Sequence, residues 1–257
     1  MQHCMPYLWQ SRTPWEQMPD SGVKPMKNFV NLLLTVLVAS LPLGLLAQEG
    51  PDLRGTIIVL NKSGHDASFI DLETGRLVTT LPTGQGPHEL VATRDGRIAI
   101  GTDYSGGNSL TVFDIANKRV IRTIDLSDYS RPHGILLMPG EQEVIVTAEG
   151  SGHLVLVNFR SGEVTRVIPT DPHRSHMVAL SADGSRALTS NGGTNSASIY
   201  DMASGNRIKD IGVPDRPEAV TTNRAGTELW IGSNDNAVVT VFDVATESVI
   251  AQWDGFE

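Results

Sequence analysis

Four residues stand at the same place in a repeated phrase, and each has a side chain able to bind a metal or move a proton. His88 lies in Gly86-Pro87-His88-Glu89 and His133 in Arg131-Pro132-His133-Gly134. His176 lies in Arg174-Ser175-His176-Met177, and the fourth copy, Arg216-Pro217-Glu218-Ala219, offers Glu218 instead. The steps between them are 45, 43 and 42 residues. Imidazole with carboxylate suits zinc, copper or iron, and an open position on such an ion activates water or takes substrate. The same groups suit acid–base work, because histidine titrates near neutral pH. A transition metal held by His88, His133, His176 and Glu218 is therefore one expectation. Its condition is that all four reach within about 2.0–2.2 Å of one ion. A polar pocket without a metal is the second expectation, and histidines that only fix the turn between units are the third.

The elements that must position these residues are short strands. From Gly55 onward, β-branched and apolar runs alternate with turn residues: Thr56-Ile57-Ile58-Val59-Leu60, then Asn61-Lys62-Ser63-Gly64, then Ala67-Ser68-Phe69-Ile70-Asp71. Such runs, bounded by Gly, Asn, Asp and Ser, read as strands joined by hairpins. A second phrase keeps the same beat. Asp71-Leu72-Glu73-Thr74-Gly75 returns at Asp114, Asn158, Asp201 and Asp243, in steps of 43, 44, 43 and 42 residues. Four strands every 42 to 45 residues is the period of a β-propeller blade. The expected fold is all-β: four-stranded antiparallel blades, about 4.75 of them, with blade one lacking its innermost strand. Blades two to five should begin near His88, His133, His176 and Glu218, and no helix pattern follows residue 47. A ring of this kind normally closes by pairing strands from the two ends of the chain. The expectation is therefore an N-terminal part of a six- to eight-bladed ring. A coding sequence that stops after Glu257 and yields a stable monomer would contradict it.

Residues 26–47 read as a signal peptide. A short basic start, Met26-Lys27-Asn28, precedes the apolar run from Phe29, and Ala47 offers a small residue for cleavage. An uncleaved anchor is the alternative, although Pro42 and Gly44 interrupt its end. Residues 1–25 have no periodicity and form an upstream extension, unstructured or preceding a true start at Met26. The propeller is assigned to residues 48–257, in the periplasm or secreted, with no stable membrane span after cleavage. Cys4 is the single cysteine, so disulfides and covalent haem attachment are excluded. The net charge of −9 and the scatter of basic residues argue against nucleic acid.

Two sets of residues should converge at one mouth of the channel. His88, Glu89, His133, His176 and Glu218 open the innermost strands. Asn61, Lys62, Asp103, Tyr104, Glu149, Asn191, Asn234 and Asp235 lie between the second and third strands of their blades. Asp71, Asp114, Asp201 and Asp243 fall on the opposite face, where Asp caps a turn through nearby backbone. His65, His153 and His173 are read as surface residues, with a place in the pocket as the alternative for His173, and Trp230 and Trp253 as packing between blades.

The phrases Leu110-Thr111-Val112-Phe113-Asp114 and Ala237-Val238-Val239-Thr240-Val241-Phe242-Asp243, with the Ser-x-Asp-Gly turn at Ser181, resemble the YVTN-repeat propellers. YncE-like periplasmic proteins belong to that family, and the Pro-His phrases look like a histidine-bearing subgroup of it. The resemblance covers residues 55–257 and implies the fold more than the function. The wider superfamily includes lactonases and the propellers of redox enzymes, which implies a metal or cofactor at the channel without transferring an activity. Two functions follow. One is a binding or scaffold module that presents its histidine-bearing mouth to a small molecule or partner protein. The other is a metal-dependent hydrolase of lactonase type, or a redox accessory protein. No nucleophile–base pair and no cofactor motif stands out for the second.

Overall fold

The computed structural model describes residues 53–170 and 174–256, all within one compact unit, Glu49–Glu257. The signal-peptide assignment and His173 lie outside the described residues. Among the described residues no helix is long and apolar enough to cross a membrane.

Among the described residues, nineteen strands form five antiparallel sheets. The first sheet has three, β1 (Thr56–Asn61), β2 (Asp66–Asp71) and β3 (Leu77–Pro82). The second holds β4 (Pro87–Ala92), β5 (Ile98–Asp103), β6 (Ser109–Asp114) and β7 (Arg119–Asp125). The third holds β8 (Pro132–Leu137), β9 (Glu143–Ala148), β10 (His153–Asn158) and β11 (Glu163–Pro169). The fourth holds β12 (Ser175–Leu180), β13 (Arg186–Asn191), β14 (Ser196–Asp201) and β15 (Arg207–Gly212). The fifth holds β16 (Pro217–Thr222), β17 (Glu228–Ser233), β18 (Val238–Asp243) and β19 (Ser248–Trp253). Each sheet is a simple meander, and the innermost strands β4, β8, β12 and β16 pack in succession. The expected blades, including the short first one, are present.

Pleating explains the stack. Alternate residues of a strand face opposite ways, so a middle sheet is apolar on both faces. In β9, Val144 and Val146 pack with Ile100, Leu110 and Val112 of the second sheet. Ile145 between them packs with Val178, Ala187 and Tyr200 of the fourth. Leu188 and Ile199 meet Leu229, Ile231 and Phe242 across the next interface. At the first interface Phe69 meets Phe113 edge-on, with ring centroids 5.6 Å apart. Each buried Val, Leu, Ile or Phe contributes roughly 1.5–3 kcal/mol over exposure.

The outer strands add a cation between sheets. Arg122 of β7 donates to the Ser161 carbonyl in the third sheet's β10–β11 turn. Arg166 of β11 donates to the Met202 and Ala203 carbonyls in the corresponding turn of the fourth. Lys209 of β15 reaches the Glu247 carbonyl of the fifth at 2.6 Å. The register-equivalent residues of the first and last sheets are Thr79 and Ala251, so this repeat is confined to the middle of the stack.

Trp230 and Trp253 correct one expectation. They pack on each other within the fifth sheet, with ring centroids 4.8 Å apart. Leu229 and Ile231 take the side of β17 turned to the fourth sheet, so Trp230, between them in sequence, takes the other.

At the inner edge one glycine sets how closely two sheets approach. A Cβ on Gly134 would lie 2.9 Å from Met177 Cα and 3.0 Å from Val178 N. Backbone, not a flexible side chain, occupies that space. Gly134→Ala is therefore expected to destabilise the protein by about 1–3 kcal/mol, the range for overpacking a tight core. Denaturant unfolding measures it, and an unchanged midpoint would contradict the close approach.

Candidate functional site

The histidines owe their placement to a repeated irregularity. Every innermost strand shifts register against its neighbour just after its first residue: between Pro87 and Leu90, Pro132 and Ile135, Ser175 and Met177, and Pro217 and Ala219. A bulge bends the strand and re-aims a side chain. His88, His133, His176 and Glu218 are the residues caught in it. The backbone it leaves unpaired is satisfied by hydroxyls from the second strands. Thr102 Oγ1 accepts from Glu89 N at 3.1 Å, Thr147 Oγ1 from Gly134 N at 2.8 Å, and Ser190 Oγ from Met177 N at 3.2 Å. Two of these hydroxyls also cross to the next sheet. Thr147 donates to the His176 carbonyl at 2.6 Å, and Ser190 to the Glu218 carbonyl at 2.8 Å. His176 and Glu218 are thus tied by their backbone to the sheet before them.

The side chains converge at one mouth. His88 and His133 ring centroids are 4.5 Å apart, and His133 and His176 are 3.9 Å apart. Tyr104 stands edge-on to His133 at 4.4 Å. Lys62, His88, Glu89, Tyr104, His133, His176 and Glu218 line a cavity of about 410 Å³. An adjoining cavity of about 310 Å³ shares Tyr104, His176 and Glu218 and adds Glu149, Arg174 and Arg216. Another cavity, about 430 Å³, lies at the other end of β12 around Ser181 and Asp183, away from the histidines.

A polar network holds the mouth. Tyr104 Oη donates to Glu149 Oε2 at 2.7 Å. Arg131 reaches the Tyr104 hydroxyl and stands 3.4 Å from Glu149 Oε2, while Arg174 stands 3.5 Å from Glu149 Oε1. His176 lies between two carboxylates, 3.8 Å from Glu149 and 3.1 Å from Glu218. Asn234 donates to Glu218 at 3.3 Å, and Asp235 pairs with Arg216 at 3.1 Å. Burial opposes the Glu149 charge, but His176, the Tyr104 hydroxyl and Arg131 outweigh it and hold the carboxyl at about 2. Burial, then the Glu149 charge, raises the Tyr104 phenol, which stays a donor.

His133 is the buried centre, 3% exposed, and its Nδ1 has no hydrogen-bond partner. Burial first, then the His176 and His88 imidazoles and Lys62, push it down to about 3, against the pull of Glu149. It is a neutral imidazole with an open polar atom. The metal expectation fares differently from the pocket. His133 and His176 lie ring over ring, 3.9 Å between centroids and tilted by 33°. Among the described residues no group of three or more His, Cys, Asp or Glu is arranged to hold a metal ion. The residues as placed do not fit one.

Three residues expected at the mouth turn away from it. Asn191 accepts from Ser175 and Thr189 and donates to Ser196 and Ser198, fully buried inside the fourth sheet. Asp103 accepts from Ser109 and Thr111 in the same position of the second sheet, and burial raises its pKa. Asn61 donates to Asp66 and Ser68 in the first. These side chains latch the second strand to the third. His65 is exposed and accepts from Gly86 N at 2.9 Å, and half-buried His153 faces Tyr129 and Ser151. The turn aspartates keep their structural role. Asp71, Asp114, Asp201 and Asp243 accept from the backbone N–H three residues on, and hydrogen bonds from Thr74, Asn117, Ser204 and Thr246 hold them below the usual carboxylate range.

Arg131, Arg174 and Arg216 are functional candidates at the mouth beyond the residues expected there. Their signal was in the repeated phrase itself, as an arginine two residues before His133, His176 and Glu218.

The chain matches no family model and no curated protein. Its likeness is to solved structures. Hydrazine synthase of Kuenenia stuttgartiensis superposes with a TM-score of 0.57 at 17% identity, over 77% of this chain and 83% of that one. Virginiamycin B lyase from Staphylococcus aureus gives 0.66 at 15% identity, over 78% and 67%. A functionally unknown protein from Desulfotomaculum acetoxidans gives the same values, 0.66, 15%, 78% and 67%. At such identities the likeness shows the fold, a β-propeller.

The site predicts how stability depends on pH. His133 has a folded-state pKa of about 3 against an ordinary 6.5, so below pH 6.5 the unfolded chain takes up a proton that the fold refuses. Its contribution is complete above that pH and is lost as pH falls toward 3. Glu149 acts in the same direction lower down, between its ordinary 4.5 and about 2. The melting temperature should therefore fall between pH 6.5 and pH 4, and His133→Gln should flatten that slope. An equal slope in the variant would contradict the buried, neutral imidazole.

Proposed function

We propose that this chain is an exported binding propeller whose histidine-bearing mouth takes a small polar molecule. One observation carries the reading: a cavity of about 410 Å³, lined by seven polar or charged side chains, into which a buried and unpartnered His133 is built. Pockets with a few convergent polar groups are where ligands bind. Five successive sheets supply the lining: the innermost strands of four give His88, His133, His176 and Glu218, and the turns after β1 and β5 give Lys62 and Tyr104. A partner protein presenting a polar group is the macromolecular form of the same reading. Export to the periplasm or beyond rests on the pattern of residues 26–47 and on Cys4 being the single cysteine. Kinship with YncE-like YVTN propellers rests on the repeat phrases and the shared fold.

A second reading, an enzyme, is favoured by one feature. The His176 imidazole stands 3.1 Å from Glu218 and the Tyr104 hydroxyl donates to Glu149, so a base and a proton donor share one cavity wall. One structural neighbour bears the name of a lyase. Acid–base work at His176 would need no ion.

Binding is tested by titrating the exported protein with a panel of small polar compounds, followed by calorimetry. A ligand is expected whose affinity falls at least about tenfold, or 1.4 kcal/mol, in His176→Ala and in Glu218→Gln. Ligands that bind both variants as they bind the parent would place recognition elsewhere.

A further inference from the structure

We propose that the mouth selects an anionic small molecule, bearing carboxylate or phosphate groups, through Arg131, Arg174 and Arg216. The inference rests on the reading of the mouth as a binding pocket and names the class of its ligand.

Its first support is backbone strain. The residue that precedes each innermost strand has positive φ: 59° at Gly86, 58° at Arg131, 49° at Arg174 and 54° at Arg216. Glycine reaches that region at no steric cost, and the second sheet uses it. The next three sheets place arginine there, against the preference of a residue with a Cβ. His65, Lys118, Glu141, Asn195, Ala237 and Glu247 share that region, but only at this register do three successive sheets place the same residue type there, which points to use of the side chain. Ion pairs alone do not repay it, because the three side chains are 46, 62 and 55% exposed and exposed pairs contribute little.

The second support is how the donors are spent. Arg131 and Arg174 share one carboxylate, Glu149, which leaves that trio one positive charge in excess. Arg216 stands 3.1 Å from Asp235 and 3.8 Å from Glu218. A guanidinium carries five N–H donors in a fork that matches carboxylate and phosphate oxygens. Each arginine therefore keeps donors for a ligand. Lys62 adds a fourth cation, 5.3 Å over the Tyr104 ring, whose other neighbour is Arg131 at 4.7 Å. Glu89, with Glu149, Glu218 and Asp235, balances these cations in number, so selection comes from directed hydrogen bonds rather than from net field.

The experiment is calorimetry on the complete exported chain with three probes: succinate for carboxylate, inorganic pyrophosphate for phosphate, and glucose as a neutral control. Two variants are compared. R131Q/R174Q/R216Q keeps the strained backbone without the charge, and R131G/R174G/R216G relieves the strain as well. Succinate or pyrophosphate should bind the parent saturably, more weakly at high salt, and at least about tenfold more weakly in both variants. Whichever anion binds tells carboxylate from phosphate. The glycine variant should keep a melting temperature at or above that of the glutamine variant, showing that lost binding is not lost folding. Anion binding unchanged in the glutamine variant overturns the inference. Saturable glucose binding that is lost in His176→Ala, with no anion binding, overturns the anionic class and leaves the pocket standing. Silence from all three probes overturns both.

Discussion

Each sheet of this protein has two apolar faces and can cover neither alone. Everything else follows from that constraint. Val144 and Val146 look one way from β9 and Ile145 the other, so the third sheet must stand between two more. Stacking brings the innermost strands together, and Gly134 lets two of them approach until backbone nearly meets backbone. The mouth is the by-product: a place where the innermost strands of four sheets and the turns of their neighbours reach a common space. A propeller makes such a site without a dedicated loop, by repeating one residue at one position.

The site then depends on defects in that regular stack. A bulge at the start of each innermost strand turns a histidine or glutamate inward, and hydroxyls of Thr102, Thr147 and Ser190 satisfy the backbone that the bulge exposes. Burial and like neighbours then keep His133 neutral, whereas Glu149 keeps its charge through contacts that outweigh burial. Two adjoining cavities, joined at Tyr104, His176 and Glu218, therefore hold between them a neutral imidazole, a firm carboxylate and the Arg174 and Arg216 guanidinium groups.

Much of this was legible in the sequence because repetition is visible without knowing any contact. The 42- to 45-residue beat gave the sheets, their starting residues and the turn aspartates. What stayed hidden was direction. Asn61, Asp103 and Asn191 occupy the same strand end as one another, and sequence order alone placed them at the mouth. Their amide and carboxylate groups instead bond across the hairpin, because a side chain there faces the interior of its own sheet. Arg131, Arg174 and Arg216 were overlooked for the opposite reason. Arginine in a loop reads as solvated surface, and only a positive φ at all three positions marks them as costly to place. Trp230 and Trp253 were misplaced because an aromatic residue in a strand does not say which face it takes.

The central claim is that three successive sheets bring His88, Tyr104, His133 and His176 into one cluster around the buried His133. Nuclear magnetic resonance of the histidine rings tests it most directly. The account predicts ring-proton contacts from His133 to His88, Tyr104 and His176, and a His133 imidazole that stays neutral from pH 8 down to pH 4. A His133 that titrates near 6.5 and shows none of those contacts would contradict it.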